Sequence, residues 1–263
     1  MGLPGISKEQ MAEVDRIMVE DFRIPIELMM ENAGLNLANL AINLSKNPYS
    51  NYIIIAGTGN NAGGGIVAAR RLASWGVNVQ IIFPKGVNEL KDVPKNQVIR
   101  AKQLGIEIVN GLPDDSLNFK DYSFFIDAYL GYGFTPRHDD ISENVFNFLS
   151  NINILLSLDI PSGLDATTGS SFSGINPIAT LTLGFVKQGL LITERKNIGE
   201  LYVADIGIPI SIYYKILRNQ WNLTYKKSSL EKLYLAFKNN SIQKVIINKN
   251  QAIDPCADWE SSI

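Results

Sequence analysis

Tyr52-Ile53-Ile54-Ile55-Ala56-Gly57-Thr58-Gly59-Asn60-Asn61-Ala62-Gly63-Gly64-Gly65-Ile66-Val67-Ala68-Ala69-Arg70-Arg71 joins a continuous apolar run to a glycine-rich connection and then to a helical pattern. An apolar run without polar alternation describes a strand covered on both faces, the habit of parallel sheets built from β-α units. Runs of the same kind recur at 77–83, 106–109, 124–126, 154–158, 179–183 and 201–203, with helical stretches expected at 66–75, 97–104 and 143–149. The fold class is therefore expected to be α/β: a three-layer α/β/α sandwich with a Rossmann-like, mostly parallel sheet and right-handed crossovers.

Upstream, Met11, Val14, Ile17 and Met18 recur at helical spacing after Ser7, which with Gln10 makes the pattern of a capping box. A second helix is expected after Pro25, where Leu28, Met29, Leu35, Leu37, Leu40 and Leu44 are too dense for a surface helix. Beyond Pro209 the chain turns rich in lysine and asparagine, with one helix-like stretch at 230–237 and one strand-like stretch at 245–247. This divides the chain into a nucleotide-binding domain over 1–214 and a C-terminal extension over 215–263. Residues 254–263 carry no periodicity and are expected to fray.

The composition narrows the function classes. Among 263 residues, 24 lysines and arginines face 26 acids, so no basic field is available to recruit nucleic acid or anionic lipid. One cysteine, Cys256, and one histidine, His138, exclude an intrachain disulfide and argue against a zinc site on such ligands. The expected setting is a reducing cytoplasm. No apolar stretch reaches the length of a membrane span, and Met1 to Glu9 lack the pattern of a signal peptide.

Five glycines fall between Gly57 and Gly65. Glycine lets backbone N–H groups turn toward an anion, and the helix that follows adds its positive end, so the connection reads as a phosphate cradle. The competing reading is a tight turn whose glycines serve helix–sheet packing; the number of glycines favours the cradle. Gly57, Gly59 and Ala62 satisfy a loose dinucleotide fingerprint, but no acid follows the second strand, which ends Phe83-Pro84-Lys85, to hold a ribose. The P-loop pattern fails as well, since Gly65-Ile66 stands where Lys-Ser/Thr is required.

Two aspartates fall at strand ends, where ligands of open parallel sheets sit: Asp127 in Ile126-Asp127-Ala128-Tyr129-Leu130-Gly131, and Asp159 in Leu158-Asp159-Ile160-Pro161-Ser162-Gly163. Carboxylates there can move protons, hold a cation or bind ribose, or merely cap a turn. Lys187 follows a later strand and is either a catalytic or phosphate-binding group or a solvated lysine.

Taken together, Met29-Met30-Glu31-Asn32-Ala33-Gly34, Gly57 to Asn61, Asp127 to Gly131, Asp159 to Asp165, Thr180 to Leu190 and Ala204-Asp205-Ile206-Gly207-Ile208-Pro209 resemble the NAD(P)H-hydrate epimerase family, also called the YjeF N-terminal domain family. The resemblance implies an isomerase of metabolite repair that interconverts the R and S hydrates of NADH and NADPH (NADHX and NADPHX). It implies a homodimer, a potassium ion and a functional partner, an ATP- or ADP-dependent dehydratase. Carried over by motif, Asn60, Asn61, Ala62, Gly63, Gly64, Gly131, Tyr132, Gly133, Phe134, Thr135, Pro136, Arg137 and Asp159 would line the substrate. Asn61, Asp127 and Ser162 would hold potassium, an ion suited to oxygen ligands. Asp159 is the first candidate for proton transfer and Lys187 the second.

Two departures matter. The family's loop usually reads Gly-Asn-Asn-Gly-Gly-Asp-Gly, whereas Gly64 stands here at the aspartate's place and Ala62 at a glycine's. If that carboxylate takes part in the chemistry, the chain is instead a catalytically impaired nucleotide-binding or scaffold domain of the same fold. The about fifty residues after Pro209 are too few for a fused dehydratase domain, which is therefore expected on a separate polypeptide. A third reading is an NADP-dependent reductase with Lys85 at a 2′-phosphate.

Overall fold

A computed structural model of the chain describes residues 3–47, 50–113, 123–136, 139–217, 223–248 and 256–260. Ten strands form one sheet: β1 (Leu3–Pro4), β2 (Asn51–Ala56), β3 (Val79–Phe83), β4 (Glu107–Asn110), β5 (Ser123–Ala128), β6 (Leu155–Leu158), β7 (Ala179–Leu183), β8 (Glu200–Ala204), β9 (Ile242–Asn248) and β10 (Cys256–Glu260). Their spatial order is β1-β10-β9-β8-β7-β6-β5-β2-β3-β4. All pairings from β4 across to β8 are parallel, and β9, β10 and β1 add an antiparallel margin. The apolar runs in the sequence thus became the parallel strands expected of them.

Strand alternation sends Tyr52, Ile54 and Ala56 to one face and Ile53 and Ile55 to the other. The first face packs under α2 (Ile26–Ser45), α3 (Asn60–Ser74) and α4 (Asp92–Gln103). The second meets α5 (Asp140–Ser150) beside β2 and β5. Further along that face, Leu201 and Val203 pack with α1 (Lys8–Arg16), α7 (Ile210–Leu217) and α8 (Leu223–Asn239). The capping box forms: Gln10 N donates to Ser7 Oγ, and Ser7 N to Gln10 Oε1 at 2.8 Å. A short helix, α6 (Gln188–Ile192), follows Lys187. Among the described residues no helix is long and apolar enough to cross a membrane.

The glycine-rich connection departs from its reading as one flexible loop. α3 begins at Asn60, six residues earlier than the sequence suggests, so only Gly57 to Gly59 remain as loop. Gly63 and Gly65 lie inside the helix for steric reasons. A Cβ on Gly63 would stand 2.4 Å from Met30 Sδ, and one on Gly65 would stand 2.6 Å from Ala128 Cβ. Gly34 of α2 is equally tight against Val67, so the glycines let α3 lie close on both α2 and the sheet. The packing reading holds for the second half of the connection.

The extension from 215 joins the same sheet. Leu230 and Leu233 of α8 are buried, and β9 pairs with β8 through Tyr202↔Lys244 to Ala204↔Ile242. The reading of 254–263 as frayed is corrected at Cys256–Glu260, which pair residue for residue with β9. Main-chain bonding seats this strand, so its sequence needs no apolar period.

Candidate active site

Within the parallel strands the order runs β4-β3-β2-β5-β6-β7-β8, so the chain reverses its direction of travel between β2 and β5. Connections leave those two strands on opposite sides and open a crevice beyond their carboxyl ends. A cleft of about 620 Å³ lies there, a size ordinary for small-molecule sites.

Its floor on one side is the loop Gly57–Gly59 and the start of α3. Gly57 must be glycine because a Cβ would fall 1.9 Å from the Tyr129 carbonyl oxygen. Gly59 is the N-cap of α3 and offers no side chain to the helix's first amides, which have no acceptor within the helix. Those amides and the helix dipole keep the anion-binding character read from the sequence, on a shorter loop. Lys91 stands at the rim, placed by Lys91 N donating to Thr58 O at 3.1 Å. Lys85 also reaches the cleft but is ion-paired with Asp139, whose carboxyl this bond holds down to about 2. An occupied Lys85 speaks against its use as a 2′-phosphate reader.

On the other side the strand ends β5, β6 and β7 deliver the ionisable groups. Asp159 follows β6 with φ +67°, a left-handed conformation that aspartate and asparagine tolerate better than other side chains. Its Oδ2 accepts from Tyr132 N at 2.8 Å, and its Oδ1 accepts from Lys187 Nζ at 2.6 Å. Lys187, which the sequence left open as a solvated lysine, is wholly buried; its ammonium also donates to Leu183 O at 2.7 Å. Position 131 lies between Asp159 and Asn61, and a Cβ there would meet Asp159 Oδ2 at 3.1 Å and Asn61 Cβ at 3.2 Å, a tight fit.

Asp127 is buried and takes four donors: Ser157 Oγ, Ser162 N, Ser162 Oγ and Tyr129 N. Burial pushes its carboxyl up, and these hydrogen bonds pull it back. Asn61 Nδ2 donates to Leu130 O at 2.8 Å, and Ser162 Oγ lies 3.5 Å from the same carbonyl. Asn61 Oδ1 is buried without a hydrogen-bond partner. Of the three side chains carried over for potassium, Asn61 and Ser162 thus meet at the Leu130 carbonyl, Asp127 joins them through Ser162, and Asn61 Oδ1 is left as an unsatisfied oxygen. This donor set fits a hard monovalent cation.

Of the residues assigned to the substrate, Asn60, Asn61, Gly64, Gly131, Tyr132, Gly133, Phe134, Thr135 and Asp159 line the cleft. Ala62 and Gly63 do not, Ala62 being buried in the core between α3 and the sheet and Gly63 against Met30 of α2, and Pro136 is exposed. Arg137 and His138 lie outside the described residues. Sequence reasoning missed Asp15, Met11 and Lys91, which come from distant segments that carry no local motif, and it did not assign Ile206 of the Ala204–Pro209 segment to the site.

A family model described as "YjeF-related protein N-terminus" matches residues 26–189. The chain belongs to this family. An NAD(P)H-hydrate epimerase of Dehalogenimonas lykanthroporepellens is 35% identical over 211 residues, covering 77% of this chain and 82% of that protein. One from Elusimicrobium minutum is 33% identical over 80% of this chain and 99% of its own length. A bifunctional NAD(P)H-hydrate repair enzyme Nnr of Thermofilum pendens is 32% identical over 74% of this chain, which spans only 38% of that protein. The crystal structure of the yeast protein ynu0 superposes with a TM-score of 0.70 at 25% identity, over 81% of this chain and 93% of that one. The YjeF-related fold therefore accounts for the parallel sheet and its crevice.

Proposed function

We propose that this chain is an NAD(P)H-hydrate epimerase, interconverting the R and S hydrates of NADH and NADPH. The observation that carries the reading is the buried Asp159–Lys187 ion pair, set across the cleft from an anion-binding helix end. The pyrophosphate of the dinucleotide would rest on the amides at the start of α3, with Lys91 at the rim. The hydrated ring would reach Asp159. In the substrate a hydroxyl sits on the carbon beside the ring nitrogen; once protonated it leaves as water, and the nitrogen lone pair forms an iminium. Water added to the other face, losing a proton to a carboxylate, gives the other epimer. Asp159, paired with Lys187, is suited to take that proton. Lys187 fixes the carboxylate in place through its hydrogen bond to Oδ1. Potassium, held by Asn61, Asp127 and Ser162, would supply a fixed positive charge behind the loop that carries Tyr132.

The repair also requires a dehydratase, and we place both in the cytoplasm, with the epimerase as a homodimer. Purified protein mixed with racemic hydrate and a separate S-specific dehydratase is expected to consume the whole pool. Consumption that halts near the S fraction, apart from slow spontaneous epimerisation, overturns the assignment.

Gly64 does not favour the scaffold reading, because the cleft keeps a paired carboxylate without it. A Cβ at 64 would approach only the flexible end of Leu158, at 3.0 Å, so Gly64→Asp is expected to fold. Its activity in the same assay should stay within about tenfold of the natural chain, less than a missing general acid or base would return. A gain of about a hundredfold or more would mean that the natural site lacks a working carboxylate. Replacing potassium by sodium should lower the rate, and Asn61→Ala should remove that ion dependence.

A further inference from the structure

Tyr132 links two carboxyl groups. Its backbone N–H donates to Asp159 Oδ2 at 2.8 Å, and its phenol donates to Asp15 Oδ2 at 2.5 Å. The two acids are therefore held apart by the length of a tyrosine, and both line the cleft. They reach it from different layers, Asp15 from α1 and Asp159 from the end of β6. Their surroundings differ as well. Asp159 has an ammonium partner, Lys187, at 2.6 Å, whereas Asp15 forms no ion pair among the described residues and bonds to a phenol.

The geometry points to Asp15 as a second catalytic group, the acid that protonates the departing hydroxyl while Asp159 accepts the proton of the returning water. This deepens the epimerase reading and rests on it. The substrate's carbon–oxygen bond breaks as the Asp15 proton moves to the hydroxyl, and the ring nitrogen's electron pair becomes the C=N bond. A water then forms a new carbon–oxygen bond on the opposite face, the C=N pair returns to nitrogen, and the surplus proton goes to Asp159. Both carboxyls exchange protons with solvent to reset. In the reverse direction their roles swap, so an epimerase benefits from an acid on each side of the ring.

Electrostatics support the division. Burial raises the Asp15 carboxyl above the usual carboxylate range and Asp159 adds repulsion, while the Tyr132 phenol and Lys187 pull it down. A rise is the direction that suits a proton donor. The Tyr132 phenol is itself pushed up by burial and by Asp15, so it stays protonated as the bridge.

Asp15→Asn tests the proposal, because asparagine keeps an oxygen for the Tyr132 phenol but has no proton of the required acidity. If Asp15 is the acid, Asp15→Asn and Asp15→Ala both lose about 10²–10⁴-fold in kcat with KM for NADPHX little changed. If Asp15 only holds Tyr132, Asp15→Asn stays near the natural rate while Asp15→Ala falls, and the proposal is overturned. Thermal melts of each variant show that it is folded. The natural protein, run beside them with racemic NADPHX and the S-specific dehydratase, separates the two readings: its failure to consume the R form would sink the epimerase assignment itself.

Discussion

Lys187→Met is expected to destabilise the protein by about 3–5 kcal/mol, the usual cost of stripping one partner from a buried ion pair. Methionine roughly fills the volume of the lysine stem, so a cavity is not the main cause. The cost is electrostatic. Asp159 is 3% exposed and would be left buried with only the Tyr132 N–H as a partner, while Leu183 O would lose its donor. A urea melt of the single variant measures the loss. The double variant Lys187→Met with Asp159→Asn should recover a substantial part of it, since no lone charge then remains buried. A single variant that melts within about 1 kcal/mol of the natural chain would mean that solvent reaches the pair, contrary to its burial.

The parallel core was legible in the sequence because strands covered on both faces must be apolar throughout, and seven such runs sit at βα spacing. The start of α3 was not. Glycine is a poor helix former, so Gly63-Gly64-Gly65 reads as loop until Met30, Leu158 and Ala128 are seen pressing on those positions. Here tertiary closeness overrides local propensity. The same limit hid Asp15, which sits one helical turn after Met11 and looks like a solvated acid, although its partner, Tyr132, lies 117 residues away. Asp127, Asp159 and Lys187 could be found because strand-end positions are set by the sheet, which periodicity does reveal. The margin strand at Cys256–Glu260 could not, since backbone pairing leaves no mark in side chains.

Asp159→Asn should abolish most turnover while leaving the nucleotide bound. Asparagine is the informative replacement because residue 159 has φ +67°, where asparagine is at ease and alanine would add strain of order 1 kcal/mol. The amide oxygen can still accept from Tyr132 N–H or from Lys187, so the loop 131–136 and the helix end of α3 keep their places. What is lost is a group able to take a proton. A general base contributes roughly 10²–10⁴ in rate, or about 3–5 kcal/mol of barrier at 1.36 kcal/mol per decade. The variant also leaves Lys187 without its anion, held only by Leu183 O and Thr182 Oγ1, so its melting point should fall and rates must be compared well below it. Loss confined to kcat, with NADPHX binding intact, assigns proton transfer to this carboxylate. Loss confined to KM would make Asp159 a substrate clamp instead, because an interaction made equally in ground and transition states leaves kcat untouched.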